Sequence, residues 1–179
     1  MKKKFRGFTL IELLLVVAVI GILVILTVPH AVRAVHKAKQ RGTMREIQSI
    51  STVLTDYLTD HGLVQDHNGT FSIGDAFYSS IAPHYIPVLP TTDNWNNPYH
   101  IYGRANCNNK YGITGAADLD YVVCSLGHDN QSESGNDYVT NPGSGLYAIV
   151  GVESFNYDLV VWNGDWIRAP QTRMGKSGS

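Results

Sequence analysis

Hydrophobic and polar positions divide the chain into three unlike stretches. Residues 8–28, FTLIELLLVVAVIGILVILTV, are apolar except for two threonines, a glycine and one carboxylate, Glu12. A helix rises about 1.5 Å per residue, so about 20 such residues cross a hydrocarbon layer about 30 Å thick, and the run predicts a membrane span. Further on, Ile47, Ile50, Val53, Leu54, Tyr57 and Leu58 recur at helical spacing, which predicts an amphipathic helix with one face to cover. Between the two runs, residues 30–42 carry Arg33, His36, Lys37, Lys39 and Arg41 and read as a solvated, membrane-proximal face. Asp60-His61-Gly62 supplies a stop, with Gly62 suited to a left-handed C-cap. One helical segment over 8–62 is expected, weakest between Gly21 and Pro29, because an interior glycine costs about 1 kcal/mol relative to alanine and an interior proline about 3.

From 63 to 170 the pattern is that of short strands and turns. DNWNNPYHIYG (93–103) gives turn chemistry and then a strand, and DLDYVVCSLG (118–127) reads as a second strand. In YDLVVWNGDWIRAP (157–170), Asn163-Gly164 lies between two apolar runs, the strongest hairpin signal in the chain. The predicted fold is α+β: a long N-terminal helix, half transmembrane and half amphipathic, packed on a small antiparallel sheet, with a polar tail over 171–179.

Charge orients the span. Lys2, Lys3, Lys4 and Arg6 hold the N-terminus on the cytoplasmic side by the positive-inside rule. A secretory signal would place its small residue after the apolar core, whereas Gly7 stands before it. A carboxylate among lipid tails costs roughly 2.5 to 3.5 kcal/mol on insertion scales, more than the 0.3 to 1 kcal/mol that a helix N-terminus returns, so Glu12 is expected to have a partner.

The run GFTLIE resembles the signal of type IV pilins and type II secretion pseudopilins. The resemblance implies a leader over 1–7 cleaved after Gly7, a methylated amine on Phe8, and Glu12 at the fifth mature position as the assembly carboxylate. In a staggered stack of parallel helices, the Phe8 amine of one subunit would neutralise Glu12 of another. It also implies a pilin-like domain over 63–170, a helix that loosens between Gly21 and Pro29 in the filament, and a single-pass inner-membrane precursor that assembles into a periplasmic filament. The implied partners are further copies of the chain, a prepilin peptidase, an assembly ATPase, a platform protein and minor pseudopilins.

Two internal segments resemble the major pseudopilin branch. Trp95-Asn96-Asn97-Pro98-Tyr99 stands where that branch has a Trp-Gly-Asn-Pro-Tyr turn, Asn96 also tolerating a left-handed backbone. Ser125-Leu126-Gly127 then leads into a polar loop that in that branch binds calcium. The resemblance implies Asp129 and Asp137 as calcium ligands, with Leu126 as a backbone donor, although Asn136 stands where relatives carry another acid. Residues 142–179 extend past the end of a short member of the branch, and a surface type IV pilus subunit is the alternative.

Composition narrows the rest. A chain of 179 residues, 44% hydrophobic and with a net charge of −1, holds one anchor and one modest domain and shows no basic balance calling for nucleic acid. Cys107 and Cys124 would lie outside the cytoplasm, where a disulfide closing a loop of about 15 residues could contribute around 3 kcal/mol. Two free, buried thiols are the other reading. His100 and His128 complete no zinc pattern with them. A membrane-anchored periplasmic enzyme is the competing class, yet none of HExxH, GxSxG, a P-loop or a dinucleotide fingerprint occurs.

Overall fold

The computed structural model describes residues 7–171, the side chain of Leu26 excepted. The basic leader residues Lys2, Lys3, Lys4 and Arg6 and the tail from Thr172 lie outside the described residues. Helix α1 (Leu10–His61) runs 52 residues through both Gly21 and Pro29. In the turn ahead of Pro29 the Thr27 hydroxyl donates to the carbonyls of Leu23 (3.0 Å) and Val24 (3.3 Å). The helix ends as expected at Gly62, whose φ is 71° and whose N–H donates to Leu58 O at 2.8 Å.

The chain forms two compact units, 1–36 and 37–179. In the first, every described large apolar side chain from Phe8 to Ile25 is exposed, and the helix has a mean hydropathy of 3.1 over its most apolar window. Such a surface calls for lipid or neighbouring helices to cover it.

In the second unit, α1 buries Ile47, Ile50, Val53, Leu54 and Tyr57, the predicted face, with Leu58 half-buried at its edge. The face packs on a six-stranded sheet. Strands β1 (Asn68–Thr70), β2 (His100–Gly103), β3 (Tyr121–Ser125), β4 (Leu146–Tyr147), β5 (Leu159–Trp162) and β6 (Asp165–Pro170) lie in the order β1-β2-β3-β5-β6-β4. All pairs are antiparallel except β4 with β6. Short helices α2 (Ala76–Ile81) and α3 (Pro142–Gly145) lie between strands. The β5–β6 turn is the expected hairpin: Trp162 pairs with Asp165, and Asn163 and Gly164 take φ of 50° and 95°, as a two-residue turn of type I′ requires.

The sheet is buried on both faces. Ile101, Tyr121, Val123, Leu159 and Val161 meet the helix together with Phe71, Phe77 and Ile81. Val122, Cys124 and Val160 point the other way, into a second core with Cys107, Tyr111, Ile113, Leu126 and Tyr138. The sequence reading provides cover for only one face. The run YVVCS in β3, apolar without alternation, is what a strand buried on both sides requires. Tyr121 ties helix to sheet, its hydroxyl donating to Ser51 O (3.0 Å) and lying 2.8 Å from the Thr55 hydroxyl.

Candidate functional site

Gly7, Phe8 and Thr9 lead into α1, and Glu12 lies in its first turn. Thr9 and Glu12 cap the helix reciprocally. The Thr9 N–H and hydroxyl both donate to Glu12 Oε2, at 2.9 and 2.8 Å, and the Glu12 N–H donates back to Thr9 Oγ1 at 3.3 Å. This is a capping box, which satisfies donors a helix start would otherwise leave open. Thr9 is not among the residues singled out from the sequence above, although Thr-x-x-Glu ahead of an apolar run is a legible signal for it. The carboxylate expected to seek a partner in a second subunit thus has a partner within its own chain.

The two segments resembling the major pseudopilin branch meet in space. Asp93 Oδ1 accepts the N–H groups of Trp95 (2.8 Å) and Asn97 (2.9 Å), closing the turn in which Asn96 takes a φ of 72°. Asp93 Oδ2 accepts the Ser125 hydroxyl at 2.6 Å, and the Asn97 amide donates to Gly127 O at 2.7 Å. The turn therefore fixes the end of β3, where the polar loop begins. Gly127 is required there: its φ is 68°, and a Cβ would meet Asn156 O at 2.6 Å.

Within the polar loop, Asp129 Oδ1 accepts the Gln131 N–H at 3.1 Å. Asp137 Oδ1 accepts the N–H groups of Val139 (3.1 Å) and Thr140 (3.0 Å), and its Oδ2 accepts the Thr140 hydroxyl. The Thr140 donors hold the Asp137 carboxyl below its ordinary value. Each carboxylate closes its own turn, and no three acid, histidine or cysteine side chains among the described residues gather into a metal-ligand group.

What the structure does assemble beside the loop is a buried ionic cluster. Asp158 Oδ2 accepts the Tyr111 hydroxyl and the Glu133 N–H, both at 2.8 Å, and the Asp158 N–H donates to Glu133 Oε2 at 3.1 Å. Glu133 is paired with Arg168. Asp158 Oδ1 is buried with no hydrogen-bond partner, alone in this among the described residues. Burial, above all, pushes the Asp158 carboxyl up to about 7, with the Glu133 charge adding to it and the Glu133 N–H, the Tyr111 hydroxyl and the Arg168 charge opposing it.

The folded protein therefore holds this proton at a pH where the unfolded chain has lost it. Stability from this group is full below the ordinary carboxylate range, falls as the pH rises toward about 7, and levels off above, an effect of up to about 4 kcal/mol. Asp158→Asn is expected to shrink the drop in melting temperature between pH 5 and pH 8, as thermal denaturation at both values reads directly. An unchanged drop would place the titration elsewhere.

The expected disulfide is not formed. Cys107 and Cys124 are free and fully buried. Cys107 closes the 3-10 turn Arg104–Cys107 and donates from Sγ to Tyr102 O at 3.3 Å, while Cys124 lies on β3 beside the Tyr111 hydroxyl. Each sulfur thus serves as core packing. Burial pushes both thiols up to about 12, so neither is a thiolate nucleophile at neutral pH. Ser125, the neighbouring hydroxyl, is spent on Asp93.

The model of the prokaryotic N-terminal methylation motif matches residues 2–28. The chain is 30% identical over 149 residues to type II secretion system core protein G of Escherichia coli K12, covering 78% of this chain and 92% of that one. With core protein G of Pseudomonas aeruginosa it shares 29% over 143 residues, 76% of this chain and 92% of the relative. A ComG operon protein 3 homolog of Bacillus licheniformis is 36% identical over 56 residues, 31% of this chain and 58% of the relative. No solved structure matches. A methylation motif on an exposed apolar helix that leads into an α+β domain defines the pilin class of filament subunits. Within that class the chain belongs to the type II secretion core protein G family, the major pseudopilins, whose role is structural and not enzymatic.

Proposed function

We propose that the chain is cleaved after Gly7, methylated on the Phe8 amine, and built with further copies of itself into a periplasmic pseudopilus that moves exported proteins outward. Before cleavage it spans the inner membrane once over residues 8–28 with its leader in the cytoplasm. A prepilin peptidase performs the cut, and an assembly ATPase, a platform protein and minor pseudopilins act on the cut subunit. Glu12 sets axial register by meeting the Phe8 amine of a neighbour.

The observation that carries this reading is an apolar helix, exposed from Leu10 to Ile25, that begins on a capped carboxylate within a methylation motif. The helix needs lipid before assembly and other helices after it. Deleting the gene is expected to leave proteins normally released from the cell stranded in the periplasm, and restoring it to release them. Loss of surface fibres with release intact would favour the type IV pilus alternative.

A further inference from the structure

The loop between β3 and α3 is nearly all polar, yet it is anchored in its middle and at its end by one side chain from β6. Arg168 is only 6% exposed. Its guanidinium grips Glu133 with two parallel bonds, Nε to Oε2 and Nη2 to Oε1, each 3.0 Å. Its Nη1 donates to the carbonyls of Ser144 (3.1 Å) and Gly145 (3.4 Å). The rings of Tyr138, Tyr147 and Tyr157 surround the cation, with centroids 4.8, 4.7 and 4.7 Å from Cζ.

Every part of this arrangement suits a buried cation. A planar fork on a carboxylate is the strongest ion-pair geometry available, and aromatic faces replace the water that the guanidinium has lost. The grip also extends beyond the pair. Glu133 exchanges bonds with the backbone and side chain of Asp158, Ser134 O accepts the Tyr111 N–H at 2.9 Å, and the Tyr138 N–H reaches Tyr111 O at 3.0 Å. Gly145 lies so close to β6 that a Cβ there would collide with Ile167 O. By contrast, the two loop acids nearest a calcium-ligand pattern, Asp129 and Asp137, are occupied with their own turns.

We propose that the Arg168 guanidinium occupies, in energetic terms, the place of a bound divalent cation: it neutralises Glu133 and fixes the loop to the sheet, so that the fold of residues 126–145 is independent of calcium. The cation comes from the C-terminal hairpin. A positive charge that is part of the chain needs no ion from solution, and the loop folds together with β6.

The test uses the full-length protein in detergent, with calcium chloride, magnesium chloride or a chelator as the probe, read by melting temperature and by amide exchange over 126–145. Wild type is expected to melt at the same temperature in all three and to keep its exchange protection in chelator. Arg168→Gln is expected to accelerate exchange across the loop by at least about tenfold, with no rescue by calcium, because breaking one member of a buried pair leaves the other unpaired. Glu133→Gln, which keeps the side-chain shape but removes the charge and one of the two acceptor oxygens, carries the same expectation should Arg168→Gln fail to fold. A calcium-specific rise in the melting temperature of wild type, loss of loop protection in chelator, or loop exchange unaltered in the variants would each overturn the proposal.

Discussion

Gly7→Val is expected to accumulate as the full-length, membrane-inserted precursor, with the mature chain reduced by at least about tenfold, since a cleft shaped to exclude a side chain discriminates by 1–3 kcal/mol even for a single methylene. The fold raises no objection to the substitution. Gly7 lies ahead of the first helical residue, and nothing stands within 4 Å of where its Cβ would be. A block in processing therefore reads on the protease's recognition of glycine and not on the stability of the subunit. Gly21→Ala provides the comparison, because that position is also open within 4 Å and lies well inside the span. It should be cut normally. A mature-sized band from Gly7→Val on an immunoblot of membranes would remove Gly7 as the last leader residue.

Much of this molecule is legible from local pattern, and the reason is physical. The exposed apolar helix, the face made by Ile47, Ile50, Leu54 and Tyr57, the stop at Gly62 and the Asn163-Gly164 hairpin are each set by residues a few positions apart, where periodicity and backbone preference act directly. Asn96 is of this kind as well: its left-handed φ is what the turn demands. The buried cluster is different. Glu133 and Arg168 lie 35 residues apart, and nothing local to either one announces the other. Their pairing exists because β6 lies between β5 and β4 and so brings Arg168 under the loop, a consequence of strand order. The same limit misled the reading of the cysteines. Compartment allows a disulfide, but a 3-10 turn carries Cys107 and β3 carries Cys124 into one core, where both stay free thiols.

Glu12 offers the sharpest separation of two roles, because its carboxylate both closes a capping box and is proposed to meet a neighbour's amine. Glu12→Val removes both. The lost cap costs about 1 kcal/mol, which an apolar span in lipid tolerates, so the variant should insert and be cleaved. Two opposite charges 4 Å apart at an effective dielectric constant of 20 attract by about 4 kcal/mol, so assembly without the carboxylate should fall by more than about tenfold. Glu12→Gln separates the roles. Its amide oxygen can still accept the Thr9 N–H and hydroxyl that now reach Glu12 Oε2, while its charge is gone. Sheared-filament yield from membranes with equal amounts of mature subunit is the measurement. If pairing with the Phe8 amine sets register, Glu12→Gln assembles as poorly as Glu12→Val. If Glu12→Gln assembles like wild type, the carboxylate serves only its own helix, and axial register must come from elsewhere.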